Sequence, residues 1–195
     1  MTLHDEAVSL LRSYDPAEVG QRAVREAMLA FLAARSDGMQ RSCEPGHITA
    51  SALVVDPSRG AMLLTLHRRI GAWLQLGGHC EAGDASVRDA ALREAVEESG
   101  IAGLTIDPEP IDLDVHPVTC SLGILTRHLD IRFLVTAPAG AEATISGESL
   151  DLAWFRYDAP PTPLGESVAE LIDRATVRLA ARDHRVSRRI SAVID

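Results

Sequence analysis

Three carboxylates and a guanidinium crowd one short stretch of this chain, Arg93-Glu94-Ala95-Val96-Glu97-Glu98, closed by Ser99 and Gly100. Carboxylates three and four positions apart on a helix repel one another. At about 100° per residue, positions 94, 97 and 98 share an arc of about 100°, and Leu92 and Val96 are expected on the opposite side. An edge of this kind is stabilised when a cation neutralises it, and clustered carboxylate oxygens suit Mg²⁺ or Mn²⁺. On these residues alone a solvated acidic surface remains the alternative. The preceding loop, "GGHCEAGD" at 77–84, brings three glycines, which allow close approach of backbone or ligand, and two more acids, Glu81 and Asp84.

Residues 78–101 resemble the Nudix box, G-x5-E-x7-R-E-U-x-E-E-x-G-U, where U is a bulky apolar residue. Gly78, Arg93, Glu94, Glu97, Glu98, Gly100 and Ile101 match it, with Ala95 a small occupant of the first U position. The flanks "HITASALVV", "WLQLGGH" and "HLDIRF" also resemble those of Nudix proteins, so the similarity spans residues 47 to about 182. Two departures stand out: Asp84 replaces the first glutamate, and eight rather than seven residues separate it from Arg93. Three roles stay open for Asp84: contact with the metal shell, contact with Arg93, or capping of the helix. Ser86 with Asp89 three residues on offers a second capping arrangement.

The resemblance implies a Nudix-like α/β/α sandwich with a mixed sheet. It implies a pyrophosphohydrolase that cleaves a phosphoanhydride bond in a nucleoside diphosphate linked to another moiety, or in a related organic pyrophosphate. Glu94, Glu97 and Glu98, with a backbone carbonyl at Gly77, would hold Mg²⁺ or Mn²⁺, and Arg93 would orient a glutamate and tie the loop to the helix. The base would be Glu94 or a glutamate of a later loop, for which Glu148 is the candidate ahead of Glu142. A Nudix module that binds nucleotides without turnover is the alternative, motivated by the spacing at Asp84. Isomerisation of an isoprenyl diphosphate, suggested by Cys80 beside the site, is the weakest reading. His67, Arg68 and Arg69 are candidates for phosphate contact, and Trp73, Phe133, Trp154 and Tyr157 for base stacking, although such aromatics are more often core. His116 and His128 are expected to be structural.

The elements that must position this box follow from periodicity. Residues 3–36 are helical in pattern, with a break at "YDPAEVG", a restart expected at Asp15-Pro16 and Glu18 in the first turn. Residues 1–38 are thus expected to form a helical N-terminal extension, and 39–195 the catalytic domain. "HITASALVV", "AMLLTLH", "AWLQL", "GLTID", "IDLDVHPV", "HLDIRFLVTA" and "LDLAWFRY" read as strands. A helix is expected from about Ser86 to Ser99 with Gly100 as its left-handed cap. A last amphipathic helix is marked by Val168, Leu171, Ile172, Ala175 and Leu179.

The whole-chain balance agrees. An apolar fraction of 46% is enough for a real core, and a net charge of −9 argues against binding to a nucleic-acid polymer. No apolar run approaches the roughly 20 residues of a membrane span, and residues 1–16 show no basic segment followed by an apolar run, so a cytoplasmic protein without membrane contact is expected. Cys43, Cys80 and Cys120 lack metal-ligand spacing and are expected to be reduced thiols. The N-terminal helices are expected to cover the pocket or to support a homodimer.

Overall fold

The computed structural model describes residues 1–119, 123, 125–147 and 149–194, with side chains through residue 182. Two helices, α1 (Leu3–Ser13) and α2 (Val19–Ala34), precede a curled mixed sheet. Its strands are β1 (His47–Asp56), β2 (Ala61–His67), β3 (Trp73–Leu74), β4 (Leu76–His79), β5 (Thr105–Ile106), β6 (Asp112–Thr119), β7 (Leu125–Thr136) and β8 (Ser149–Arg156). Helix α3 (Val87–Ser99) follows β4, and α4 (Val168–Ile194) closes the chain. Among the described residues no helix is long and apolar enough to cross a membrane.

The centre of the sheet is a parallel pair. β1 runs alongside β7 from His47 opposite His128 to Val55 opposite Thr136. The chain between them supplies the crossover, as parallel pairing requires. β4 and β2 share the other edge of β1: Thr49 pairs with His79 and Ala52 with Leu76, while Val54 to Asp56 pair with Leu63 to Ala61. The expected third strand therefore divides. Trp73–Leu74 pair with β2, and after Gln75 the chain changes partner to β1.

Alternation assigns the two faces. Ile48, Ala50, Leu129, Ile131 and Phe133 form one core with Ala7 and Leu11 of α1, Met28 and Leu32 of α2, and Val87, Ala90 and Ala91 of α3. Leu53, Val55 and Leu134 meet Val168, Leu171, Ile172 and Ala175 of α4 on the other face. On that second face the sheet also buries a charged network. Arg132, 2% exposed, reaches Asp130 at 2.8 Å, Asp112 at 3.0 Å and Asp114 at 2.8 Å. Thr49, Ser51 and Gln75 donate to Asp130, and Gln21 and Arg174 donate to Asp112.

Two local expectations are corrected. α2 starts at Val19 rather than at Pro16, with Glu18 as an N-cap whose side chain makes no capping bond; its carboxylate is drawn instead to Arg174 of α4. In α3 the side chain facing the sheet is not that of Val96, which is 40% exposed. The buried face is Val87, Ala90, Ala91, Ala95 and Ser99. Small residues there let the helix lie close to β1 and β4, and Leu92 packs only partly against the core.

The N-terminal helices share a core with the sheet and also hold α3. Glu6 of α1 accepts a 2.9 Å bond from the Val87 amide, which satisfies an orphan donor at a helix end where negative charge is favoured. Leu11→Ala, at a site with no exposure, is therefore expected to lower the stability of the entire fold by about 2–5 kcal/mol. Urea unfolding followed by both near-ultraviolet and far-ultraviolet circular dichroism should show one coincident transition at lower denaturant. Separate loss of helical signal alone would show that the extension folds independently.

Candidate active site

Helix α3 is framed by local chemistry. Ser86 caps its start by accepting from the Asp89 amide at 3.0 Å, and Gly100, at φ 66°, ends it in the left-handed region. Asp84 is not the cap. It turns back into the helix and meets Arg93, with Nε to Oδ1 at 3.0 Å and Nη2 to Oδ2 at 3.1 Å, a bidentate pair.

Arg93 is the hub. Its Nη1 donates to Glu94 at 3.0 Å and to Glu97 at 3.1 Å, and its Nη2 also donates to the His79 carbonyl at 2.9 Å. A guanidinium has five N–H donors in a fixed fork, and these five bonds engage the whole set. The arrangement raises the Arg93 pKa, first through the Asp84 bond, so the cation is permanent. Burial alone would raise the Asp84 carboxyl, but bonds from Arg93 and from the Glu81 amide (2.7 Å) outweigh it and hold the group below its ordinary value. The carboxylate is one methylene shorter than the glutamate of the box. The extra residue between Asp84 and Arg93 supplies the lost reach, and the turn from Glu81 to Asp84 is closed by an amide-to-carbonyl bond of 3.1 Å.

The glycines of β4 are placed for close approach. Gly77 has φ 145°, and an added Cβ would lie 2.5–2.7 Å from Ser51 and the Ala50 carbonyl. At Gly78 a Cβ would lie 2.8 Å from the Glu94 carboxyl group, so the missing side chain is the space that this carboxylate occupies. Glu94 is thus pinned between Arg93 and β4, Glu98 lies half-buried one turn on, and Glu97 faces solvent. Four acids reach Arg93, namely Glu81, Asp84, Glu94 and Glu97, with Glu98 following on the same helix, so a single guanidinium leaves a surplus of negative charge at this edge. This oxygen-only donor set, beside a strand whose glycines admit close approach, fits a hard divalent cation.

Other expected residues are dispersed. Arg68 and Arg69 are exposed on the β2–β3 loop, and Arg68 reaches the Ser149 carbonyl at 3.5 Å. Phe133 is fully buried, Trp73 packs edge-on against Phe155 with ring centroids 4.7 Å apart, and Tyr157 joins the α4 core. Arg59 covers the Trp154 ring at 4.8 Å. Glu142 is exposed, and Glu148 lies outside the described residues. Cys80 packs with the α1–α3 core, and burial pushes its thiol up to about 12. His47 and His79 were not singled out from the sequence, yet they join His128 and His116 on the face of the sheet away from α3. Only the strand register reveals the group, because β1 and β7 are far apart in the chain.

Comparison with known proteins agrees with this geometry. The NUDIX domain family profile matches residues 45–175. A NUDIX-family hydrolase from Clostridium perfringens superposes with a TM-score of 0.53 at 23% identity, covering 68% of this chain and 97% of that one. The MutT protein of Methanosarcina mazei gives 0.54 at 17% identity, over 70% and 96%. A C. elegans Ap4A hydrolase in a binary complex gives 0.51 at 18%, over 68% and 98%. A search of curated proteins finds no match to the sequence. The chain belongs to the Nudix family, and the class that its fold and box define is a Nudix-type pyrophosphohydrolase.

If Asp84 and Arg93 act as one clamp, their effects cannot add. Asp84→Ala and Arg93→Ala should each destabilise the fold, and the double variant should lose less than their sum, by a coupling of about 0.5–3 kcal/mol. Denaturant unfolding of the four proteins measures this. Additive losses would show that the two side chains work separately.

Proposed function

We propose that the protein hydrolyses a phosphoanhydride bond in a nucleoside diphosphate linked to another moiety, or in a related organic pyrophosphate, with Mg²⁺ or Mn²⁺ held by Glu94, Glu97 and Glu98 and the Gly77 carbonyl. The observation that carries the reading is the Arg93 clamp, which fixes Glu94 against Gly78 within an acidic edge. When bound, the cation would neutralise the diphosphate, polarise a phosphoryl oxygen and acidify the attacking water.

The chain's own residues divide the remaining work. Arg93 orients Glu94 and joins β4 to α3 through the His79 carbonyl. Glu94, with a side chain 16% exposed, is the described residue best held to accept the water proton, and Glu148 is the later-loop candidate for the same role. The alkaline guanidinium also limits how far the acidic edge repels an anionic ligand. That a nucleotide supplies the diphosphate is supported by the likeness to the C. elegans Ap4A hydrolase.

A binding-only module was suggested by the spacing at Asp84, but Asp84 completes the Arg93 clamp, which removes that motive. Cysteine chemistry of the isomerase kind has no support either, since Cys80 is held as a thiol in the core.

A panel of dinucleoside polyphosphates, sugar nucleotides and nucleoside triphosphates, assayed with Mg²⁺ and with products identified, tests the proposal. Hydrolysis of at least one diphosphate linkage is expected, and binding without product in single-turnover assays would overturn it. Glu98→Gln should retain the fold and lower turnover by about a hundredfold or more. Near-native rates at saturating Mg²⁺ would remove Glu98 from the ligand set.

A further inference from the structure

On the far side of β4 from the carboxylates, three imidazoles converge. His47 begins β1, His128 sits directly opposite it on β7, and His79 ends β4 one pairing step away, opposite Thr49. Their ring centroids are 5.0 Å (His47–His79), 5.0 Å (His47–His128) and 5.2 Å (His79–His128) apart. One nitrogen from each lies within 4.8 Å of the others. His116, paired with His128 across the β6–β7 ladder, stands beside the group with centroids 5.4 Å apart, and its Nδ1 is 2.7 Å from Asp114.

His47 makes the arrangement more than a stack of rings. It is 1% exposed, and neither ring nitrogen has a hydrogen-bond partner. Buried polar atoms are rarely left unsatisfied in folded proteins. One side of the ring meets the Cys43 backbone, with the positive charge of Arg41 nearby. The other side faces His79 and His128, which have no proton acceptor to offer that is not itself an imidazole. A ligand that accepts electron pairs from all three resolves the conflict.

We propose that His47, His79 and His128 form a binding site for a divalent transition-metal ion, Zn²⁺ in the first instance, separate from the carboxylate site on α3. Imidazole nitrogens select Zn²⁺ over Mg²⁺, which prefers oxygen. Zn–N bonds of about 2.0–2.1 Å require each ring to move by less than about 1 Å from the present spacing. Three histidines leave a fourth position for water, for His116 or for a group of the ligand, as in zinc sites that keep an open place. Asp114, bonded to His116, would be the outer partner that orients that ring if it took the fourth position.

The test uses the full chain, stripped with chelator and titrated with Zn²⁺, and with Co²⁺ as a coloured probe. About one Zn²⁺ per chain is expected after dialysis, with X-ray absorption showing imidazole scattering from three rings. His128→Asn should weaken Zn²⁺ binding by about tenfold or more, while Glu98→Gln should leave it unchanged, so that failure here is distinct from failure of the hydrolase reading. No retained Zn²⁺, unaltered affinity in His128→Asn, or a shell of oxygen ligands in the wild type would overturn the site. The wild-type absorption spectrum decides even if the histidine variant does not fold.

Discussion

One guanidinium organises the site. Arg93 spends all five of its donors on Asp84, Glu94, Glu97 and the His79 carbonyl, and no other side chain type offers that fork. The strand β4, the loop after it and the first turns of α3 are fixed relative to one another because they meet at this group. Glu94 can lie against the glycine of β4 only because the same hub restrains both. A lysine would present a point charge with three donors and could not hold the carboxylate of Asp84 side by side while still reaching β4.

The electrostatics follow two different rules on the two sides of β4. On the α3 side carboxylates outnumber the single arginine, whose bonds hold Asp84 below its ordinary value. On the other side Arg132 is buried among Asp112, Asp114 and Asp130, and removing one partner from such a network commonly costs about 3–5 kcal/mol. Next to it, burial lowers the pKa of His47, His79 and His128. The strand thus separates oxygen donors suited to a hard cation from nitrogen donors suited to a softer one, with His79 contributing its carbonyl to the first system and its ring to the second.

What the sequence made legible was local. The helix that carries the box, its Gly100 cap, the Ser86 cap as one of two arrangements, the apolar face of α4 and every strand but the third are encoded within a few residues of where they act. Non-local features were hidden. Whether Val96 or Ala95 faces the sheet depends on how closely the helix packs. Where Gln75 breaks the strand depends on which neighbour β1 offers. Glu18 leaves its capping role for Arg174, a partner brought by the fold. The histidine group depends on the register of β1 with β7 and β4, which no periodicity in a single sequence states. Asp84 lay between these cases: its departure from the box was visible, but that an extra residue restores contact with Arg93 required the geometry.

The claim at the centre of this account is that the acidic edge of α3 is a site for a hard cation. Calorimetric titration of Mg²⁺ into the wild type, Glu94→Gln and Glu98→Gln measures it directly, since imidazoles compete poorly for Mg²⁺. The account predicts saturable binding that each substitution weakens by about tenfold or more. Equal Mg²⁺ binding in all three proteins, or none in the wild type with substrate present, would contradict it.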